Sequence, residues 1–146
     1  MKVIIIGGVA GGMSAAARLR RLDETAEINV YEMSDHVSYA NCGLPYFVSD
    51  VISKRDALLL QTPTALWNRF RIRAKVQSKV TAIDRANKTV TVQNLATGET
   101  YEDNYDKLVI STGARPRKLE IPGIERAMWL RNVTDADAAK AAVLAA

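Results

Sequence analysis

The chain has 146 residues, 48% hydrophobic and 25% charged, which is the size of one domain and excludes a disordered or low-complexity polymer. Its formal net charge of +4 admits either nucleic acid or a phosphate-bearing small molecule as partner and decides for neither. No apolar run approaches the ~20 residues that cross a bilayer, and the apolar start breaks into glycines too early for a secretory signal. With one cysteine there is no internal disulfide, which suits a cytoplasmic protein.

Residues 3–6 are apolar on both faces and β-branched, the pattern of a strand buried in a parallel sheet. Gly7-Gly8 ends it. A helix is expected from about Gly11 to Leu22, with Gly12, Ala15, Ala16, Leu19 and Leu22 on one face and Ser14, Arg18 and Arg21 on another. Residues 28–32 read as a second strand, so the first thirty residues form a β-α-β crossover with parallel strands. Between Ser34 and Pro63 the pattern is irregular, with a short helix after Leu44-Pro45 and another capped by Thr64 and running through Phe70. Arg69, Arg71, Arg73 and Lys75 alternate with Phe70, Ile72 and Ala74, as on a strand with one wet face. Three alternating runs at 80–84, 89–94 and 100–104 are joined by hairpin-like turns and predict an antiparallel meander. Residues 108–110 are a further buried strand, ending at Ser111-Thr112-Gly113. Past the turn at Pro122-Gly123, Thr134 and Asp137 are spaced to cap an alanine-rich helix. It reaches Ala146 without a stop signal, which reads as a chain that continues.

Gly7-Gly8-Val9-Ala10-Gly11-Gly12 joins the first strand to the first helix. There the first glycine permits a tight turn, the last lets the helix pack on the sheet, and the helix N-terminus presents free N–H groups to an anion. The dinucleotide fingerprint G-x-G-x-x-G is matched at Gly7 and Gly12, but Val9 occupies its middle place and narrows the approach of a pyrophosphate. Glu32 follows Gly12 by twenty residues, where an acceptor meets ribose hydroxyls. A glycine turn also serves packing alone, and a strand-end glutamate is often merely exposed; the two together favour a dinucleotide site in a Rossmann-like α/β domain. A carboxylate disfavours a 2′-phosphate, so FAD or NAD fits better than NADP.

Cys42 lies in the polar stretch Ser38-Tyr39-Ala40-Asn41-Cys42-Gly43, just before the expected short helix. A lone cysteine is most often a small buried hydrophobe, but a helix N-terminus stabilises a thiolate and makes it reactive. The basic run at 69–75 has no aromatic interleaving or nucleic-acid motif, and one histidine, His36, with one cysteine gives no zinc ligand set.

The glycine turn, Glu32, Ser38-x-x-Asn41-Cys42-Gly43, Leu60-Gln61-Thr62-Pro63, and Tyr105 through Gly113 with Ala114-Arg115-Pro116 occur in one order. Together they resemble the N-terminal FAD half of the single-cysteine flavin and pyridine-nucleotide disulfide reductases. Within these, Val9-Ala10-Gly11-Gly12 and Asn41-Cys42-Gly43-Leu44-Pro45-Tyr46 are most similar to coenzyme A-disulfide reductases and their rhodanese-fused persulfide-reductase relatives. Double-cysteine members carry C-x-x-x-x-C, whose earlier place is Val37 here. The resemblance implies a fold of a Rossmann-like parallel sheet plus the meander, residues 1–146 being part of an FAD-binding domain without its NAD-binding and dimerisation domains. It implies FAD held by Gly7, Val9, Ala10, Gly11, Gly12, Glu32, Val80, Thr112 and Gly113, with NAD(P)H as electron donor. It implies Cys42 as the redox residue and Ser14, Arg18, Arg21, Ser38 and Asn41 as contacts of coenzyme A or another low-molecular-weight thiol or persulfide. It also implies a homodimer for the full-length enzyme, with neither nucleic acid nor membrane as partner. In some members a lysine stands at the place of Phe70. Two alternatives stay open: an NADH oxidase or peroxidase cycling Cys42 through sulfenic acid, and a nucleotide-binding module without turnover. The chain alone is expected to show no NAD(P)H-dependent turnover and to hold FAD weakly.

Overall fold

Four β-branched residues in a row, Val3 to Ile6, need cover on both sides, and the sheet provides it. A computed structural model describes residues 1–117 and 119–146. In it β1 (Lys2–Ile6) is flanked by β2 (Glu27–Tyr31) and β7 (Lys107–Ile110), with β3 (Ile72–Lys75) beyond β2. All pair in parallel, in the order β3-β2-β1-β7. Because side chains alternate along a strand, Val3 and Ile5 face one way, with Met13 and Ala16 of α1 (Ala10–Leu22) and Leu66 of α3 (Pro63–Phe70). Ile4, Ile6 and Tyr31 face the other way, against Val90 and Val92. Those two valines belong to β5 (Thr89–Asn94), the centre of an antiparallel sheet with β4 (Ser78–Asp84) and β6 (Thr100–Asn104). The α/β class with a parallel sheet and a three-stranded meander is therefore as the sequence predicts.

The details depart from the pattern in instructive ways. Leu22 is exposed at 67%. It lies six residues beyond Ala16, about 120° round the helix, so a stripe drawn in steps of three walks off the buried face. Met13 takes its place in the core. The cap of α3 is Thr62, whose hydroxyl accepts from the Ala65 N–H, because Pro63 fixes the first helical position. Arg69 and Phe70 belong to that helix, Arg71 ends it in the left-handed region at φ 52°, and only Ile72–Lys75 form strand. β4 starts at Ser78 and carries an irregularity between Val80 and Ala82. Leu108 and Val109 are only half-buried and Ile110 is exposed at 62%, since β7 is an edge strand. α4 (Val133–Leu144) starts two residues early: Asn132 and Asp135 form the capping box, and Asp137 pairs with Arg55 instead.

The chain divides into two compact units, Met1–Tyr39 with Gln61–Gly113 and Ala40–Leu60 with Ala114–Ala146. The second is built from a 3-10 turn at Asn41–Gly43, α2 (Leu44–Val48), 3-10 turns at Arg55–Leu58 and Ile124–Arg126, and α4. Within it, Lys140 Nζ lies 4.3 Å from the Phe47 ring centroid and 2.5 Å from Asp50 Oδ1. Among the described residues no helix is long and apolar enough to cross a membrane.

A polar joint ties the two sheets of the first unit. Asp103 of β6 accepts from the Tyr31 hydroxyl (2.6 Å), Asn29 Nδ2 (3.2 Å) and Lys2 Nζ (2.5 Å). Burial alone would raise the Asp103 carboxyl, but the hydrogen bonds from Lys2 and Tyr31 outweigh it and hold the group below its ordinary value. Burial and the same carboxylate push the Tyr31 phenol up.

Gly11→Ala, whose β-carbon meets nothing nearer than Ser111 Cβ at 3.6 Å, should leave stability unchanged or raise it by up to ~1 kcal/mol. Gly12→Ala, whose β-carbon falls 1.8 Å from the Gly7 carbonyl oxygen, should lower it by about 3 kcal/mol or more in urea titrations. The depressed Asp103 carboxyl contributes stability above the unfolded value of about pH 4, lost as pH falls through the lower folded value. Asp103→Ala should therefore cost about 2–4 kcal/mol at neutral pH and progressively less below pH ~4, as unfolding curves across that range would register.

Candidate dinucleotide and redox-cysteine sites

At the end of β1 the chain makes a turn that only glycine permits. Gly7 has φ +100°, and a β-carbon on it would lie 2.2 Å from the Ser111 carbonyl oxygen. A β-carbon on Gly8, which sequence reasoning left without a role, would meet Val37 Cγ1 at 2.8 Å. Val9 is the N-cap of α1 and supplies no side-chain acceptor. The first amides of α1, from Ala10 to Gly12, thus keep the free donors that a helix N-terminus offers an anion. A turn of bare backbone closed by Gly7 and Gly12 is compatible in its donor chemistry with a pyrophosphate.

Glu32 is buried, with 7% exposure. Its Oε2 accepts from the Gly8 N–H at 2.7 Å and its Oε1 from the Ser34 N–H at 2.8 Å. Each carboxylate oxygen retains a second lone pair for a ribose hydroxyl. The acid thus holds the glycine turn in place, a role not read from the sequence. Ser111, missed in the sequence, donates from Oγ to the carbonyls of Ile6 (3.0 Å) and Gly7 (3.2 Å) and locks β7 to the turn. Thr112 and Gly113 follow it and are exposed, with Gly113 at φ +71°. Val80 sits half-buried in β4, paired with Val92, two residues past Ser78, whose N–H donates to the Glu32 carbonyl. Ser38 is held in the left-handed region at φ 49°, its N–H donating to the Gly8 carbonyl at 2.8 Å. Such strain persists only where the surroundings fix it. Ser14, Arg18 and Arg21 share the exposed face of α1.

In the second unit, Cys42 is exposed. It lies in the 3-10 turn one residue before Gly43, the N-cap of α2. The turn is rigid for identifiable reasons. Gly43 N–H donates to the Ala40 carbonyl, Ala40 N–H to the Leu58 carbonyl, and a β-carbon on Gly43 would be 2.9 Å from Leu58 Cδ2. Asn41 Oδ1 is buried with no hydrogen-bond partner among the described residues. Among the described residues no three His, Cys, Asp or Glu side chains gather as a metal-ligand set.

Glu32→Gln would place an amide NH2 against the Gly8 or Ser34 N–H, losing one buried hydrogen bond. Thermal unfolding should show a loss of about 1–3 kcal/mol, and amide exchange at Gly8 or Ser34 should accelerate.

The profile of the family described as pyridine nucleotide-disulphide oxidoreductase matches residues 1–145. The coenzyme A disulfide reductase of Staphylococcus haemolyticus is 40% identical over 137 residues, 94% of this chain and 31% of that protein. The structure of reduced Bacillus anthracis CoADR-RHD superposes with a TM-score of 0.92 at 48% identity, covering 97% of this chain and 26% of that one. The NAD-dependent persulfide reductase of A. fulgidus gives a TM-score of 0.90 at 38% identity, covering 99% and 27%. The chain thus spans less than a third of the length of these relatives. A glycine turn over free helix amides, braced by a buried strand-end carboxylate, and a family match over residues 1–145 lead to one conclusion: this chain belongs to the pyridine nucleotide-disulphide oxidoreductase family.

Proposed function

We propose that the chain is the cofactor- and thiol-bearing part of an FAD-dependent reductase that passes electrons from NAD(P)H to Cys42 and thence to coenzyme A disulfide or a persulfide. The observation that carries this is an exposed, sole cysteine in a turn made rigid by Gly43 and Leu58. Similarity to coenzyme A disulfide reductase and persulfide reductase supports it. The flavin, when bound, supplies two-electron transfer between NAD(P)H and a disulfide.

In this reading the amides of Ala10, Gly11 and Gly12 bind the pyrophosphate, Glu32 accepts from ribose hydroxyls, and the backbone of Val80, Thr112 and Gly113 borders the adenylate. Cys42 thiolate attacks one sulfur of coenzyme A disulfide, forming a Cys42–coenzyme A mixed disulfide and releasing one coenzyme A thiolate. Two electrons then break that bond and return Cys42 and a second coenzyme A as thiolates. The balance is one NAD(P)H and one proton consumed for two thiols formed. Asn41 Oδ1 accepts from an amide of the pantetheine arm, Ser38 lies along the same arm, and Ser14, Arg18 and Arg21 meet the phosphates. The NAD-binding and dimerisation parts belong to further sequence, the working enzyme is a cytoplasmic homodimer, and it acts on small molecules rather than nucleic acid or membrane.

Coenzyme A disulfide should add one coenzyme A to Cys42, seen as a single mass increase that dithiothreitol reverses and Cys42→Ser abolishes. Formation of a stable sulfenic acid with peroxide, without a coenzyme A adduct, would replace this reading with that of an oxidase or peroxidase.

A further inference from the structure

Arg20 stands between the two arginines of the exposed face of α1, yet its guanidinium turns the other way. Nε donates to the Phe70 carbonyl at 2.8 Å. Nη1 donates to the carbonyls of Asp23 (3.1 Å) and Glu24 (2.6 Å). Nη2 donates to those of Ala26 (2.6 Å) and Arg71 (3.1 Å). An arginine has five N–H donors, and all five are engaged. Three of the acceptors are at the end of α1 and the turn into β2; the other two end α3. The turn is braced from its other side too, since the Asp23 carboxylate accepts from Thr25 N–H, Thr25 Oγ1 and Ala26 N–H.

Orphan carbonyls at a helix end are ordinarily left to water or to the chain that follows. Here one planar fork gathers carbonyls from two helices into a single joint. With no donor left for a ligand, Arg20 cannot itself hold a phosphate. What it can do is set the rotation and pitch of the last turn of α1 against α3, and that turn carries Arg21, with Arg18 one turn earlier.

We propose that Arg20 is a positioning residue for phosphate recognition: its five-carbonyl joint fixes the end of α1 so that Arg18 and Arg21 present preorganised guanidinium groups to the phosphates of coenzyme A. This rests on the reading of Arg18 and Arg21 given under the proposed function. A lysine has three donors and no planar fork, so it reproduces the charge without the joint.

The test compares the rate at which Cys42 forms a mixed disulfide with coenzyme A disulfide and with pantethine, which carries the same disulfide without nucleotide or phosphate. In the parent chain coenzyme A disulfide should react faster, by a margin that salt erodes. Arg18→Ala with Arg21→Ala should remove both the margin and its salt dependence. Arg20→Gln and Arg20→Lys, assayed in the cold where circular dichroism reports the native fold, should cut the rate with coenzyme A disulfide by about three- to tenfold and leave pantethine unchanged. Their residual preference should remain sensitive to salt, because the contacting charges are still present. No preference in the parent chain overturns the phosphate reading and this proposal with it. A preference lost in the Arg18/Arg21 variant but intact in folded Arg20 variants overturns the positioning role alone. An Arg20→Lys chain that fails to fold even in the cold, or that slows equally with both disulfides, assigns Arg20 to stability and likewise overturns it.

Discussion

The carbonyl oxygen of Gly7 points at the α-carbon of Gly12, where a β-carbon would come within 1.8 Å of it. That approach brings the start of α1 down onto the end of β1. Everything else at this end of the first unit adapts to it. Ser111 hydrogen-bonds the carbonyls on both sides of the turn, Glu32 takes the Gly8 N–H, and Ser38 accepts a left-handed backbone to reach the Gly8 carbonyl. Residues 32–38 and Ser111, more than seventy positions apart in sequence, are thereby registered on the same short turn.

The position of Glu32 makes the same economy visible in charge. A carboxylate at 7% exposure is costly to bury unless both oxygens have partners. Two backbone N–H groups supply them while occupying one lone pair each. Each oxygen thereby keeps one lone pair free for a further donor. Those two backbone contacts explain why a strand-end glutamate here is not simply solvated.

What the sequence made legible were the features carried by periodicity and by glycine. Residues 3–6, the alternation of Val90 and Val92, and Gly7 with Gly12 each follow from one local rule, and each is found as read. The misreadings share a cause: several local rules competed, and the nearest polar residue was taken. Thr64 and Thr134 have the right chemistry for a cap, but Pro63 and the Asn132–Asp135 pair set the actual starts. Arg20 looks in sequence like its neighbours Arg18 and Arg21, and nothing local distinguishes it. Its role depends on carbonyls of Phe70 and Arg71, fifty residues away. For the same reason the two-unit division has no compositional boundary, since the second unit is assembled from segments separated by residues 61–113.

That interleaving bears on the cysteine turn. Residues 40–60 contain the turn and α2, and the helix that packs on α2 comes from 133–144. Lys140 over Phe47 and the Arg55–Asp137 pair join the two segments, the former worth about 0.5–2 kcal/mol as a cation–π contact. Neither segment has enough apolar residues to close a core alone: Gly43, Leu44, Phe47 and Leu58 are buried on one side, Val133 and Ala136 on the other. The loop-closure entropy of bringing them together across residues 61–113 is substantial for a chain in which that stretch is unfolded. It is much smaller once the stretch has folded into the first unit and its ends are fixed. The turn that carries Cys42 thus draws its order from a core that two segments, separated by residues 61–113, build together, and to which Cys42 contributes no side chain.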